Sequence, residues 1–202
     1  MEDENLKRRT AVERERQLAW KQLGYGLLDW HIARIGPQQT EIPNEELALA
    51  HRSAYEICRL ALACLPSAAD EAERATLRDT FSMTVRTLDM FGTPETLEWV
   101  KAFDKQVGDD EVAMKYEILN ALLGFPSERL SSLKRMIALN LPRDLCFRRD
   151  YALMSYLWEP DPIPYCLTPD EQRELANYLR EHPIQFGTKK AEKMIKHALK
   201  NF

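Results

Sequence analysis

No segment of this sequence sustains a period-two alternation of β-branched and polar residues, so no sheet is expected. Nor does any apolar run approach the ~20 residues needed to cross a bilayer, which argues against membrane insertion. The N-terminus, MEDENLKRR, is charged from its second residue and lacks the apolar stretch of a secretory signal. Glycine is scarce, seven in all, and Gly187 before Thr188, Lys189 and Lys190 lacks the companions of a phosphate-cradling loop. A loop glycine followed by a threonine N-cap accounts for it better. The four cysteines, Cys58, Cys64, Cys146 and Cys166, form no C-x-x-C pair. Three of them sit in apolar helical patterns, where a reduced thiol acts as a small hydrophobe, so a reducing, cytoplasmic setting is expected. His31, His51, His182 and His197 are scattered rather than paired one helical turn apart, and neither a metal site nor a cofactor is expected. Charge of neither sign dominates: 28 Lys+Arg against 32 Asp+Glu give a net charge of −4, which disfavours a generic polyanion partner.

What the sequence does have is helical periodicity and punctuation. With 45% hydrophobic residues, the chain can bury a substantial core. From Thr93 to Glu159 two successive helical hairpins follow one pattern. In the first, Leu97, Val100 and Phe103 mark an apolar face, Gly108, Asp109 and Asp110 turn, and Lys115 to Gly124 returns. The second repeats this with Leu130, Leu133, Met136 and Ile137, a break at Leu141, Pro142 and Arg143, and a return over Asp150 to Glu159. The shift of about 33 to 35 residues lies within the repeat range of helical solenoids. Leu97, Leu119, Leu133 and Leu153 are expected in one continuous core.

The rest of the chain fits an all-α fold of stacked helical hairpins, a HEAT-like α-solenoid or superhelical bundle of about nine helices in a single domain. Residues 1–43 read as an N-terminal helix and loop, 44–159 as stacked helices, 160–168 as a proline-rich connector and 169–202 as a C-terminal helix pair. Asn44 and Asp70 begin helices, Gly92 ends one, and Thr93-Pro94, Ser127-Glu128 and Thr168-Pro169 start others. The carboxylate pairs Asp109/Asp110 and Glu45/Glu46 stand at helix starts, where capping and the helix dipole explain them without catalysis.

Four stretches resemble the C-terminal helical, HEAT-like domain of aminopeptidase N-like zinc metallopeptidases: Ala61 to Pro66, Gly92 to Val100, Lys115 to Leu141, and Thr168 to Pro183. The run that holds them, from about Leu60 to the C-terminus, covers about two-thirds of the chain. The resemblance implies stacked helix pairs, which in that family form a bowl over the catalytic domain. The family's zinc-binding H-E-x-x-H and its Gly-rich substrate-anchoring motif have no counterpart here, so no catalytic residue carries over.

The function expected from these readings is a non-catalytic scaffold that binds another protein or peptide, of adaptor, inhibitor or immunity type. Its contact residues are sought on the second return helix, in Arg148, Arg149, Tyr151, Tyr156 and Trp158, since Arg, Tyr and Trp are the usual anchors of interfaces. For the arginines, internal ion pairs with neighbours such as Asp144 and Asp150 are the competing role. Two other functions stand beside it: a helical accessory domain of an aminopeptidase-like enzyme, and a nucleic-acid-binding helical repeat, for which the lysine-rich terminal helix is the candidate surface.

Overall fold

A computed structural model describes residues 14–16, 18–27, 44–158 and 167–202, apart from the side chains of Met90 and Trp158. Much of the expected N-terminal helix and loop and most of the proline-rich connector lie outside these residues. The fold is all-α: residues 14–16 and 18–27 are helical (α1), and eight helices follow among the described residues, with no strand. They are α2 (Asn44–Cys64), α3 (Glu71–Val85), α4 (Pro94–Gln106), α5 (Val112–Leu122), α6 (Arg129–Ala138), α7 (Arg143–Trp158), α8 (Pro169–Glu181) and α9 (Lys189–Ala198). The chain divides into two compact units, Met1–Trp99 and Val100–Phe202, the division falling within α4.

In the first unit α2 packs along α3. The α2 face is made of small residues, Ala50, Ala54, Cys58 and Ala61, with Ile57. Opposite, α3 presents Leu77, Phe81 and Val85, interleaved with the buried Thr76, Thr80 and Thr84. A buried hydroxyl without a partner costs about 1–3 kcal/mol. Each threonine avoids this by donating to the carbonyl four residues back, Thr76 to Ala72 at 2.9 Å, Thr80 to Thr76 at 2.8 Å and Thr84 to Thr80 at 2.7 Å. Asp70 caps α3 by accepting the Glu73 N–H at 2.7 Å. The helical run expected to reach Gly92 stops earlier, at Val85; a 3-10 turn, Leu88–Phe91, intervenes, and Gly92 ends it at φ 56°, a conformation that favours glycine. Thr93 then caps α4, its Oγ1 accepting from the Thr96 N–H at 3.1 Å.

The second unit is centred on α5, which is buried nearly all round: Met114, Tyr116, Ile118, Leu119, Ala121 and Leu122 are apolar, and even Lys115 and Glu117 are enclosed. α5 packs on α6, α6 on α7 and α8, and α7 on α9. Leu133, Met136 and Ile137 of α6, Leu145, Cys146, Leu153 and Leu157 of α7, Leu175 and Leu179 of α8, and Ile195 of α9 complete the core. Thr168 caps α8 as expected and also forms a reciprocal capping box with Glu171, and Thr188 caps α9. Ser127 does not cap α6: a 3-10 turn, Pro126–Glu128, takes its place, and the Ser127 hydroxyl faces the Glu128 carboxylate at 3.4 Å.

Of the four leucines expected in the core, Leu119, Leu133 and Leu153 are fully buried in the second unit, whereas Leu97 belongs to the first and is only half-buried. Leu119→Ala, Leu133→Ala and Leu153→Ala should each cost about 2–5 kcal/mol, and Leu97→Ala less, since a cavity penalty scales with the completeness of burial. Urea denaturation of the four variants measures the ranking; a Leu97→Ala cost equal to the others would contradict it.

Candidate functional site

Helix α7 carries all five residues singled out from the sequence, but it distributes them over different faces. Leu145, Cys146, Arg149, Asp150, Leu153 and Leu157 are buried. The opposite side turns Phe147 and Tyr151 outward, 55% and 65% exposed. Four residues apart, these two rings share one strip of helix surface.

Arg149 is not a surface arginine. It is 2% exposed, and Asp150 beside it is fully buried. Nε and Nη2 of Arg149 donate to Asp150 Oδ1 at 3.2 and 2.8 Å, and Nη2 also donates to the Gln185 carbonyl at 2.5 Å. The other carboxylate oxygen, Asp150 Oδ2, accepts the Gly187 N–H at 2.7 Å. The partner contact expected of Arg149 therefore gives way to an internal one: the ion pair ties the loop before α9 to α7. Gly187 is required by space, because a Cβ there would lie 2.6 Å from the Phe147 amide nitrogen and 2.7 Å from its Cα.

Arg148 is partly exposed. It forms a two-pronged pair with Glu117 of α5, one contact at 3.0 Å, and its guanidinium lies over the Tyr116 ring, 5.0 Å from the centroid. Tyr156 is half-buried, and its carbonyl accepts from Gln172 of α8 at 3.1 Å. Trp158 ends the helix, and its side chain lies outside the described residues. The arrangement thus brings Arg148 and Tyr151 to the outward half of α7 and withdraws Arg149. Phe147 was not among the residues expected at the site. The local pattern did not mark it, because the buried set at 146, 149, 150, 153 and 157 includes the charged Arg149 and Asp150.

The other titratable clusters of the second unit are also saturated internally. Asp104 receives Arg135 through two contacts at 2.7 and 2.8 Å and Lys115 at 3.2 Å. Burial alone would raise the Asp104 carboxyl, but the hydrogen bonds and charges of Arg135 and Lys115 outweigh it and hold the group below its ordinary value. In the first unit His51 Nε2 lies 2.7 Å from the Thr96 hydroxyl, its ring packed between Phe91 and Trp99 at centroid distances of 4.6 and 4.5 Å. Burial lowers its pKa, against the opposing charge of Glu95. Among the described residues no group of three or more His, Cys, Asp or Glu is placed to hold a metal ion, and no helix is long and apolar enough to cross a membrane.

Two outcomes follow from these geometries. Asp150→Asn, Arg149→Ala and Gly187→Ala should each destabilise the protein in thermal and urea unfolding. The Arg149 change should cost about 3–5 kcal/mol, because it leaves a buried carboxylate uncompensated. For Asp104 the folded pKa lies below the unfolded one, near ~4, so its contribution is complete above the unfolded value and is lost as pH falls through the folded value. Asp104→Asn should flatten that part of the acid limb in a stability-versus-pH series; an unchanged limb would remove the assignment.

Comparison with protein-family models, curated proteins and solved structures yields no match to this chain.

Proposed function

We propose that this chain is a non-catalytic scaffold that binds another protein or peptide through the outward face of α7. The observation that supports this most directly is the exposed pair Phe147 and Tyr151 on a helix whose opposite face is buried. Covering a large apolar side chain is worth about 1.5–3 kcal/mol, so two aromatics on one strip make an efficient anchor. Arg148 flanks them, its guanidinium fixed by Glu117 with part of its surface left to solvent. The rest of the expected set plays a supporting part: Arg149 fixes the helix, and Tyr156 packs beside α8.

The stacked-hairpin, HEAT-like arrangement and the kinship to the helical domain of aminopeptidase N-like enzymes belong to the same proposal, as does a cytoplasmic setting. The non-catalytic reading draws support from Asp104, Asp150 and Glu117, each of which is satisfied by internal cations rather than directed at a shared cavity.

Selection of 16-residue peptides from a random library on the immobilised full chain, followed by calorimetric titration of the enriched sequences, tests the proposal. Phe147→Ala and Tyr151→Ala should each weaken binding by more than ~1 kcal/mol, as interface anchors do. Leu49→Ala, at an exposed apolar position of the first unit, should not. Peptides whose affinity ignores both aromatic changes would overturn the assignment of α7 as the contact face.

A further inference from the structure

The terminal helix gathers lysines around a single carboxylate, Glu192. Many cations elsewhere in that unit are matched: Lys101 with Glu128, Lys115 and Arg135 with Asp104, Lys134 with Glu174, Arg148 with Glu117 and Arg149 with Asp150. On α9 and the turn after it, Lys196 pairs with Glu192 at 2.7 Å. Lys189, Lys190, Lys193 and Lys200 have no such partner among the described residues, although the chain holds more carboxylates than cations. Helix stability does not explain them either, since Lys189 and Lys190 stand in the first turn, where the helix dipole disfavours positive charge.

Their spacing is regular. Lys189, Lys193, Lys196 and Lys200 follow one another at four, three and four residues, which at 100° per residue confines them to about 60° of arc over about 16 Å. The buried Ala191, Ile195 and Ala198 lie on the other side. Lys190 joins these four lysines, with Glu192, Met194 and His197, in lining a groove of about 840 Å³. Lysine stems and Met194 give it an apolar floor, and the ammonium groups form its rim.

We infer that this groove docks an acidic helical segment of a partner protein, with carboxylates at the same four-three-four spacing. An amphipathic helix that inserts into a membrane needs its apolar face free, and that of α9 is occupied by its own unit. Single-stranded nucleic acid is held by successive bases stacking on aromatic side chains as well as by charge, and the His197 imidazole is the one ring among the residues that line this groove. An acidic helix meets both features at once: its carboxylates reach the rim and its apolar side chains lie on the stems. This surface is separate from the outward face of α7 and does not require that face to bind anything.

The full chain is titrated by fluorescence anisotropy with a labelled 16-residue Glu/Ala/Leu peptide bearing glutamates at i, i+4, i+7 and i+11. A scrambled peptide of the same composition and a 16-nucleotide oligothymidylate serve as competitors, and vesicles containing phosphatidylserine are tested by sedimentation. The patterned peptide should bind at least tenfold tighter than the scrambled one or the oligonucleotide. Lys189→Gln, Lys193→Gln and Lys200→Gln together should remove at least tenfold, whereas Lys101→Gln, Lys105→Gln and Lys134→Gln, an equal change of charge, should not. Phe147→Ala should leave this binding unchanged, which separates it from the α7 reading. If the triple variant loses helicity, Lys193→Gln alone should still weaken the peptide at least threefold. Tighter binding of the oligonucleotide or the vesicles, equal binding of the scrambled peptide, or equal loss in both lysine sets would overturn the inference.

Discussion

The arrangement of the second unit depends on the ion pair between Arg149 and Asp150. Two charges removed from water carry a desolvation cost of several kcal/mol each, offset only where geometry and additional hydrogen bonds are good. Here the carboxylate is shared between a guanidinium and the Gly187 amide, and the guanidinium is shared between the carboxylate and the Gln185 carbonyl. These contacts fix the segment before α9 against the backbone of α7. With α7 clamped on that side, its rotational setting is determined, and Phe147 and Tyr151 are left facing out.

Helix content and most boundaries were legible in the residues, because periodicity and caps are local signals. Thr168-Pro169 marks a helix start whatever surrounds it, and α8 begins there. The break expected over Leu141, Pro142 and Arg143 is shorter than that, since α7 begins at Arg143 rather than at Asp150, where the return was expected. Ser127 misled because the same serine can serve a cap or a 3-10 turn, and the choice depends on how Pro126 is accommodated. The site was harder to read. Arg148 and Arg149 are chemically identical neighbours, yet one reaches Glu117 across the unit and the other is buried against a loop 36 residues away. Nothing in the local pattern separates them: the difference lies in which way α7 is rotated, and that is set by partners distant in sequence.

The second unit therefore presents two outward surfaces of unlike chemistry, an aromatic strip on α7 and a cationic strip on α9, on helices that pack against each other. Both lie opposite faces that are buried in the unit's core. A hydrophobic strip discriminates by shape and a row of ammonium groups by charge and spacing. Their salt dependence differs accordingly, since screening acts on exposed charges and little on apolar contact.

Cys58 and Cys146 lie one in each unit, the first fully enclosed and the second nearly so. Burial also raises the Cys58 thiol well above its usual pKa, which suppresses the reactive thiolate. Cys146 is further engaged with the Leu141 carbonyl at 3.3 Å. A thiol reagent can reach either one only when its surroundings open, so labelling at Cys58 clocks the opening of the first unit and labelling at Cys146 that of the second. The chain thus carries a native probe of local stability in each half, able to reveal whether the two units unfold as one cooperative block or in succession.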